Sequence, residues 1–159
     1  MEHHRIHPAL AWSLVSVQLG LLAALVFIPA GDLWMRDAVS TTMSLVLILA
    51  GALIAIVGVA GLGRSLTASP TPRPDAQLTT TGIYAWVRHP IYTGLLIAGA
   101  GLTLAGGSVW HIVAGAALLV LLMVKARLEE WMLLDRYPDY EVYAAQVGRL
   151  LPCFGRIRP

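Results

Sequence analysis

Four long apolar stretches constrain the fold of this chain more than any other feature of its sequence. They cover residues 9–28, 39–62, 91–104 and 109–124. A helix needs about 20 mostly apolar residues to cross a bilayer, and the first two stretches reach that length. The last two are shorter. The Gly106-Gly107-Ser108 turn between them predicts a tight helical hairpin, whose second helix continues past Val124.

The composition also favours a chain that lies within a membrane. Of the 159 residues, 57% are hydrophobic and 13% are charged, whereas a typical soluble domain has about 25% charged residues. The net charge of +2 is too small to indicate a nucleic-acid partner. We therefore predict an all-α, polytopic transmembrane bundle of about four spans, followed by a helical segment over residues 125–137 and 139–147. The oligomeric state stays open.

The basic residues indicate how the spans are oriented. With four spans, ten of the eleven lysines and arginines lie on the side of the two termini, and only Arg36 lies on the other side. Because cytoplasmic loops carry an excess of Lys and Arg, we predict that both termini and the loop 63–90 face the cytoplasm. Residues 9–28 are longer than the apolar region of a signal peptide, which favours a retained span and a multi-pass protein.

The densest polar cluster, residues 77–94, lies between the second and third apolar stretches. Pro90 suits the first turn of a helix, so the third helix should begin there, with the amides of residues 91–93 free of partners within the helix. Free amides and the helix dipole bind anions, so a carboxylate or a phosphate is the expected ligand.

Charged and aromatic side chains surround this predicted anion site. They are Tyr84, Trp86, Arg88, His89 and Tyr92. An aromatic belt at the membrane surface with a snorkelling arginine is the purely structural alternative, and it fits Trp86 well. It explains less well why arginine, histidine and proline meet at one helix start.

A second cluster follows the fourth apolar stretch, where Lys125 and Arg127 precede the adjacent carboxylates Glu129 and Glu130. Ionisable groups at membrane depth are costly and usually functional, but a solvated helix end outside the bilayer fits the same residues. The sequence leaves both interpretations open. Adjacent helical residues point about 100° apart, so the two glutamates should have different roles, one facing a pocket and the other paired with a base.

The two clusters resemble the isoprenylcysteine carboxyl methyltransferase family, a group of integral membrane methyltransferases that also includes phospholipid methyltransferases. The resemblance covers residues 77–152, in the motif GIYAWVRHPIYTG of residues 82–94, the Glu129-Glu130 pair, Tyr140, Tyr143 and the motif RLLP of residues 149–152. It implies one membrane methyltransferase domain over residues 1–159, with a two-span hairpin in residues 1–68 and a catalytic, cofactor-binding part in residues 76–152.

The resemblance also implies a cytosol-facing site for S-adenosyl-L-methionine and a lipophilic or lipidated acceptor that enters from the membrane lipid. The implied cofactor-binding residues are Gln77, Leu78, Thr79, Tyr84, His89, Pro90, Ile91, Tyr92 and Glu129. The residues assigned to the acceptor and to catalysis are Arg88, Lys125, Arg127 and Glu130. Lys125 stands where the family has its substrate-side arginine, and Arg127 is the alternative. No residue is assigned to a metal.

The methyl acceptor stays open between a carboxylate and an amine. A carboxylate needs alignment and desolvation, whereas an amine must also lose a proton, which Glu129, Glu130 or His89 would accept. Two other classes compete with the methyltransferases. Sterol-type NADPH-dependent membrane reductases share the Arg-His-Pro step but usually place asparagine where this chain has Ile91. A non-catalytic helical membrane protein is disfavoured because both polar clusters occur together.

Overall fold

The computed structural model of the chain describes residues 7–63 and 78–157. Five α-helices account for most of these residues: α1 (Pro8–Phe27), α2 (Ala38–Leu62), α3 (Pro90–Gly106), α4 (Val109–Arg136) and α5 (Tyr140–Gln146). A short 3-10 turn, Gly82–Ala85, precedes α3. The predicted all-α transmembrane bundle is confirmed, and α4 continues into the charged segment as expected.

Three of the helices are long and apolar enough to cross a membrane. They are α1, α2 and α4, with 20, 25 and 28 residues. Helix α3 is apolar but has only 17 residues, a length of about 26 Å at about 1.5 Å per residue. Large apolar side chains such as Leu19, Leu49 and Leu53 are exposed on α1 and α2, as expected for helices surrounded by lipid tails.

Helices α2 and α3 approach each other closely because small residues line their contact. A Cβ atom added at Gly94 would lie 2.5 Å from the carbonyl oxygen of Gly51, and one added at Gly101 would lie 2.8 Å from the carbonyl oxygen of Ser44. In a membrane, small residues let helices pack backbone to backbone. These glycines therefore allow α2 and α3 to pack closely.

The two short connections between helix pairs meet at one end of the bundle. The amides of Gly31 and Leu33, between α1 and α2, donate to the carbonyls of Gly106 and Gly107 at 2.8 and 2.9 Å. Gly107 has a left-handed backbone, with φ 58°, which ends α3 and lets the chain turn into α4. The segment 82–89 and the chain after α5 therefore lie together at the opposite end, where the polar clusters meet.

Candidate active site

The chain after α5 pairs with the residues that precede α3. The amide of Arg88 donates to the carbonyl of Gly148 at 2.9 Å, and the amide of His89 donates to the carbonyl of Arg149 at 3.1 Å. The hydroxyl of Thr93 in the first turn of α3 donates to the carbonyl of Leu150 at 2.7 Å. These bonds hold residues 148–150 against the start of α3.

One expectation for this helix start is wrong. The amide of Thr93 donates to the carbonyl of His89 at 3.0 Å, so it is not free to bind an anion. His89 occupies the N-cap position, and its side chain makes no capping hydrogen bond. The anion site expected from the sequence therefore reduces to the amides of residues 91 and 92.

Arg88 is buried, and all its donors are occupied by the chain itself. Its Nε and Nη2 donate to Oε1 of Glu130 at 2.8 and 2.6 Å. Its Nη1 donates to the carbonyls of Ala144 and Val147, and Nη2 also donates to the carbonyl of Gly155. A guanidinium has five N–H groups, so none remains for a ligand. The structure thus places Arg88 where it connects α4, α5 and the C-terminal segment.

Glu130 is enclosed by two arginines. Its Oε1 accepts from Arg88, and its Oε2 accepts from Nε and Nη2 of Arg149 at 2.8 and 2.6 Å. The Glu130 side chain is only 2% exposed. Such a carboxylate is stabilised in its charged form by charge-assisted hydrogen bonds. Sequence reasoning did not assign Arg149 to the site, although its place in the RLLP motif was a signal.

Glu129 faces a different group of side chains. The hydroxyl of Tyr92 donates to its Oε1, and Nδ1 of His89 lies 3.3 Å from its Oε2. The rings of His89 and Tyr92 are stacked, with centroids 5.5 Å apart and planes 3° from parallel. The Glu129 side chain is 19% exposed. The two glutamates thus have separate sets of partners, as their angular separation predicts.

His89 lies between the two carboxylates. Its Nε2 is 3.4 Å from Oε1 of Glu130 but is not aligned for a hydrogen bond, and this buried atom has no hydrogen-bond partner within the described part of the chain. Burial alone would lower the pKa of His89, but the neighbouring carboxylates of Glu129 and Glu130 outweigh it and raise the pKa above its ordinary value. The imidazole therefore retains its proton to higher pH than a free histidine.

Lys125 lies one turn before Glu129 and is also buried, at 2% exposed. Its Nζ donates to Oε1 of Gln18 in α1 at 2.6 Å and lies 5.1 Å from the ring centroid of Tyr92. Arg127 is exposed and is not brought to this group. Sequence reasoning missed Gln18, although it is the one side-chain amide in α1.

The other predicted cofactor residues lie around the helix start. Tyr84 is buried; its hydroxyl donates to the carbonyl of Gly58 at 3.0 Å, and its carbonyl accepts from the hydroxyl of Tyr143 at 2.6 Å. Burial raises the pKa of the Tyr84 hydroxyl, so it stays protonated. Tyr84 thus anchors the segment before α3 onto α2.

The remaining cofactor predictions differ in exposure. Pro90 is buried, whereas Leu78, Thr79 and Ile91 are half-buried. Gln77 lies outside the described residues.

A groove of about 490 Å³ lies between the segment before α3 and α5. Its lining includes Leu78, Tyr143 and Gln146, but not His89, Tyr92 or Glu129. We therefore locate the candidate site at the cluster of His89, Tyr92 and Glu129, and not in this groove.

Comparison with known proteins bears on these clusters. The sequence model of the phospholipid methyltransferase family matches residues 39–140, which include His89, Tyr92 and both glutamates. A solved structure of the eukaryotic intramembrane Ras methyltransferase, isoprenylcysteine carboxyl methyltransferase, is similar in fold, with a TM-score of 0.69 and 21% sequence identity. The similarity covers 96% of this chain and 56% of the methyltransferase, so this chain spans little more than half the length of that protein. No curated protein sequence matches the chain.

Proposed function

Since the chain belongs to the phospholipid methyltransferase family, we propose that it transfers a methyl group from S-adenosyl-L-methionine to a lipophilic acceptor. The observation that carries the proposal is the convergence of His89, Tyr92 and Glu129 at the start of α3, inside the region that the family model matches. The apolar helices support an integral membrane enzyme whose acceptor has a lipid tail.

The cluster of His89, Tyr92 and Glu129 fits the cofactor. Glu129 offers a partly exposed carboxylate, suited to an amino group and to a positive charge. Within the described ranges, the buried Nε2 of His89 has no hydrogen-bond partner, so a bound ligand could form a hydrogen bond with it. When bound, S-adenosyl-L-methionine supplies a methyl group on a positively charged sulfur. We propose Gln77, Leu78, Thr79, Tyr84, Pro90 and Ile91 as further residues on the cofactor side.

The chain's own residues would then position the two reactants. Glu129 is held by the Tyr92 hydroxyl and His89, which orients its carboxylate before any ligand binds. Arg88, Glu130 and Arg149 hold the C-terminal segment against the helix start, which would exclude water from the reacting groups. For an amine acceptor, Glu129 would accept the proton, because the raised pKa of His89 keeps the imidazole protonated. Because Glu130 is enclosed by two arginines, we assign it to holding the C-terminal segment and not to proton transfer.

The location of the site is also a proposal. We place both termini and the cluster of His89, Tyr92 and Glu129 on the cytoplasmic side, because ten of the eleven basic residues share that side in the four-span topology.

Isotope transfer tests the function. Purified protein is incubated with a membrane lipid extract and cofactor that carries a deuterated methyl group, and the lipids are analysed by mass spectrometry. We expect deuterated methyl on a lipid species with the wild-type protein, at least tenfold less with Glu129→Gln, and wild-type levels with Glu141→Gln, an exposed carboxylate on α5. Absence of transfer together with tight NADPH binding would favour a reductase instead.

A further inference from the structure

The ammonium group of Lys125 is buried at membrane depth. Lys125 follows the first residue of α4, Val109, by sixteen positions, or about 24 Å along a helix. The hydrocarbon core of a bilayer is about 30 Å thick. A charge held within that depth is costly and is usually retained because it has a function.

The direct contacts of this ammonium are with neutral groups. The Nζ atom donates to the amide oxygen of Gln18 and lies over the ring of Tyr92. Over the described ranges, no carboxylate forms an ion pair with Lys125. The two nearest along α4 have other partners: Glu129 contacts Tyr92 and His89, and Glu130 is bound by two arginines. The Glu129 carboxylate acts on this ammonium only at a distance, so an anion could still bind Lys125 directly.

The partner of Lys125 lies on a helix that faces lipid. Gln18 is half-buried, and its neighbours Val17 and Leu19 on α1 are exposed. A lysine has a long, flexible stem and tends to extend its charge toward the membrane surface. The hydrogen bond to Gln18 opposes that movement, and because the amide is neutral it leaves the charge of the ammonium intact.

We propose that Gln18 is a positioning residue that holds the Lys125 ammonium to bind the anionic group of the lipid acceptor. The inference rests on the proposed methyl transfer and adds a positioning residue to its acceptor side. The ligand chemistry is a phosphate or a carboxylate attached to a lipid tail, and Tyr92 lies between this acceptor side and the Glu129–His89 pair.

Binding of three amphiphiles with the same hexadecyl chain tests the proposal. They are hexadecyl phosphate, hexadecanoate and the uncharged hexadecanol, titrated against purified protein in an uncharged detergent. We expect the wild type to bind at least one of the two anions at least tenfold more tightly than the alcohol. A preference for the phosphate indicates a phospholipid acceptor, and a preference for the carboxylate indicates a lipidated carboxylate; either supports the proposal.

Two substitutions at Gln18 separate positioning from simple packing. Gln18→Glu can still accept the hydrogen bond but neutralises Lys125, so we expect at least a tenfold loss of anion affinity. Gln18→Met removes the acceptor at similar volume, and we expect at least a threefold loss. Ser16→Ala, an exposed polar position on the same helix, should match the wild type. A purely structural hydrogen bond predicts wild-type anion binding for Gln18→Glu.

The proposal for Gln18 and the methyl-transfer proposal can succeed or fail independently. Affinity for S-adenosylhomocysteine, measured on the same variants, should stay within twofold of the wild type. Equal binding of anions and alcohol by the wild type, or unchanged anion affinity in Gln18→Met, would overturn the role of Gln18 and leave methyl transfer standing. Anion binding that depends on Gln18, in a protein that neither binds S-adenosylhomocysteine nor transfers methyl groups, would support the anion site and reject the enzyme.

Discussion

The hydroxyl of Tyr92, in the first turn of α3, donates a hydrogen bond to the carboxylate of Glu129 in α4, 37 residues further along the chain. This bond joins the two polar clusters, which are separate in the sequence. The same tyrosine ring stacks on His89 and lies beside the Lys125 ammonium. Tyr92 therefore contacts the proposed cofactor side and the proposed acceptor side at once.

The first prediction concerns cofactor affinity. His89→Ala and Tyr92→Ala each remove a group that contacts Glu129, so both should weaken binding of S-adenosylhomocysteine at least tenfold, or about 1.4 kcal/mol. Isothermal titration calorimetry on purified protein measures this. Trp86→Ala, an exposed aromatic position in the same segment, is the control. Unchanged affinity in both site variants would remove His89 and Tyr92 from the cofactor site.

The second prediction concerns the buried ion pairs. Glu130→Gln leaves Arg88 and Arg149 without their counter-charge, and breaking a buried pair in this way costs about 3–5 kcal/mol. We expect a lower melting temperature and faster proteolysis within residues 148–157, because these ion pairs hold that segment. Arg127→Met, an exposed basic position on α4, should change neither. A Glu130→Gln protein as stable as the wild type would contradict this role.

The third prediction concerns pH. The folded protein holds the His89 proton more tightly than the unfolded chain does, because the pKa of His89 is raised by Glu129 and Glu130. Protonated His89 therefore adds stability that is fully present below the unfolded pKa of about 6.5 and is lost as pH rises through the folded pKa. Melting temperatures measured from acid to alkaline pH should show this loss in the wild type. His89→Gln should lack it, and an identical pH profile in the variant would exclude His89 as its source.

The fourth prediction concerns the contact between α2 and α3. Gly94→Ala places a methyl group 2.5 Å from the carbonyl oxygen of Gly51 and 2.6 Å from the amide nitrogen of Ala55, so the two helices must separate. Overpacking of this kind costs about 1–3 kcal/mol. Gly20→Ala, which meets nothing within 4 Å, should raise stability slightly through helix propensity. Thermal unfolding compares the two, and equal melting temperatures would argue against close packing at Gly94.

The fifth prediction concerns topology. Cys153 is exposed after α5, on the side that we place in the cytoplasm, whereas Asp32 lies in the α1–α2 connection at the other end. An impermeant thiol reagent should therefore leave Cys153 unlabelled in intact cells and label it after lysis. A cysteine at Asp32, introduced together with Cys153→Ser, should react in intact cells. The reverse pattern would invert the orientation.

The positions of the helices could be predicted from the sequence because their determinants are local. Apolar stretches of sufficient length, Pro90 at the start of α3 and glycine at its end specify helix boundaries without reference to the rest of the chain. The predicted spans differ from α1–α4 by at most two residues at each end, apart from the continuation of α4 past Val124, which was expected. The angular separation of Glu129 and Glu130 follows from helix geometry in the same way.

The partners of the polar side chains depended on the tertiary structure. Arg88, expected to bind a ligand, donates all its N–H groups to residues that lie between 42 and 67 positions further along the chain. Gln18 and Lys125 meet across 107 positions. Which of two basic residues on α4 points inward, Lys125 or Arg127, depends on where α1 and α3 pack. A buried charge binds whichever polar group the packing of other helices brings within reach, and no local pattern in the sequence encodes which group that is.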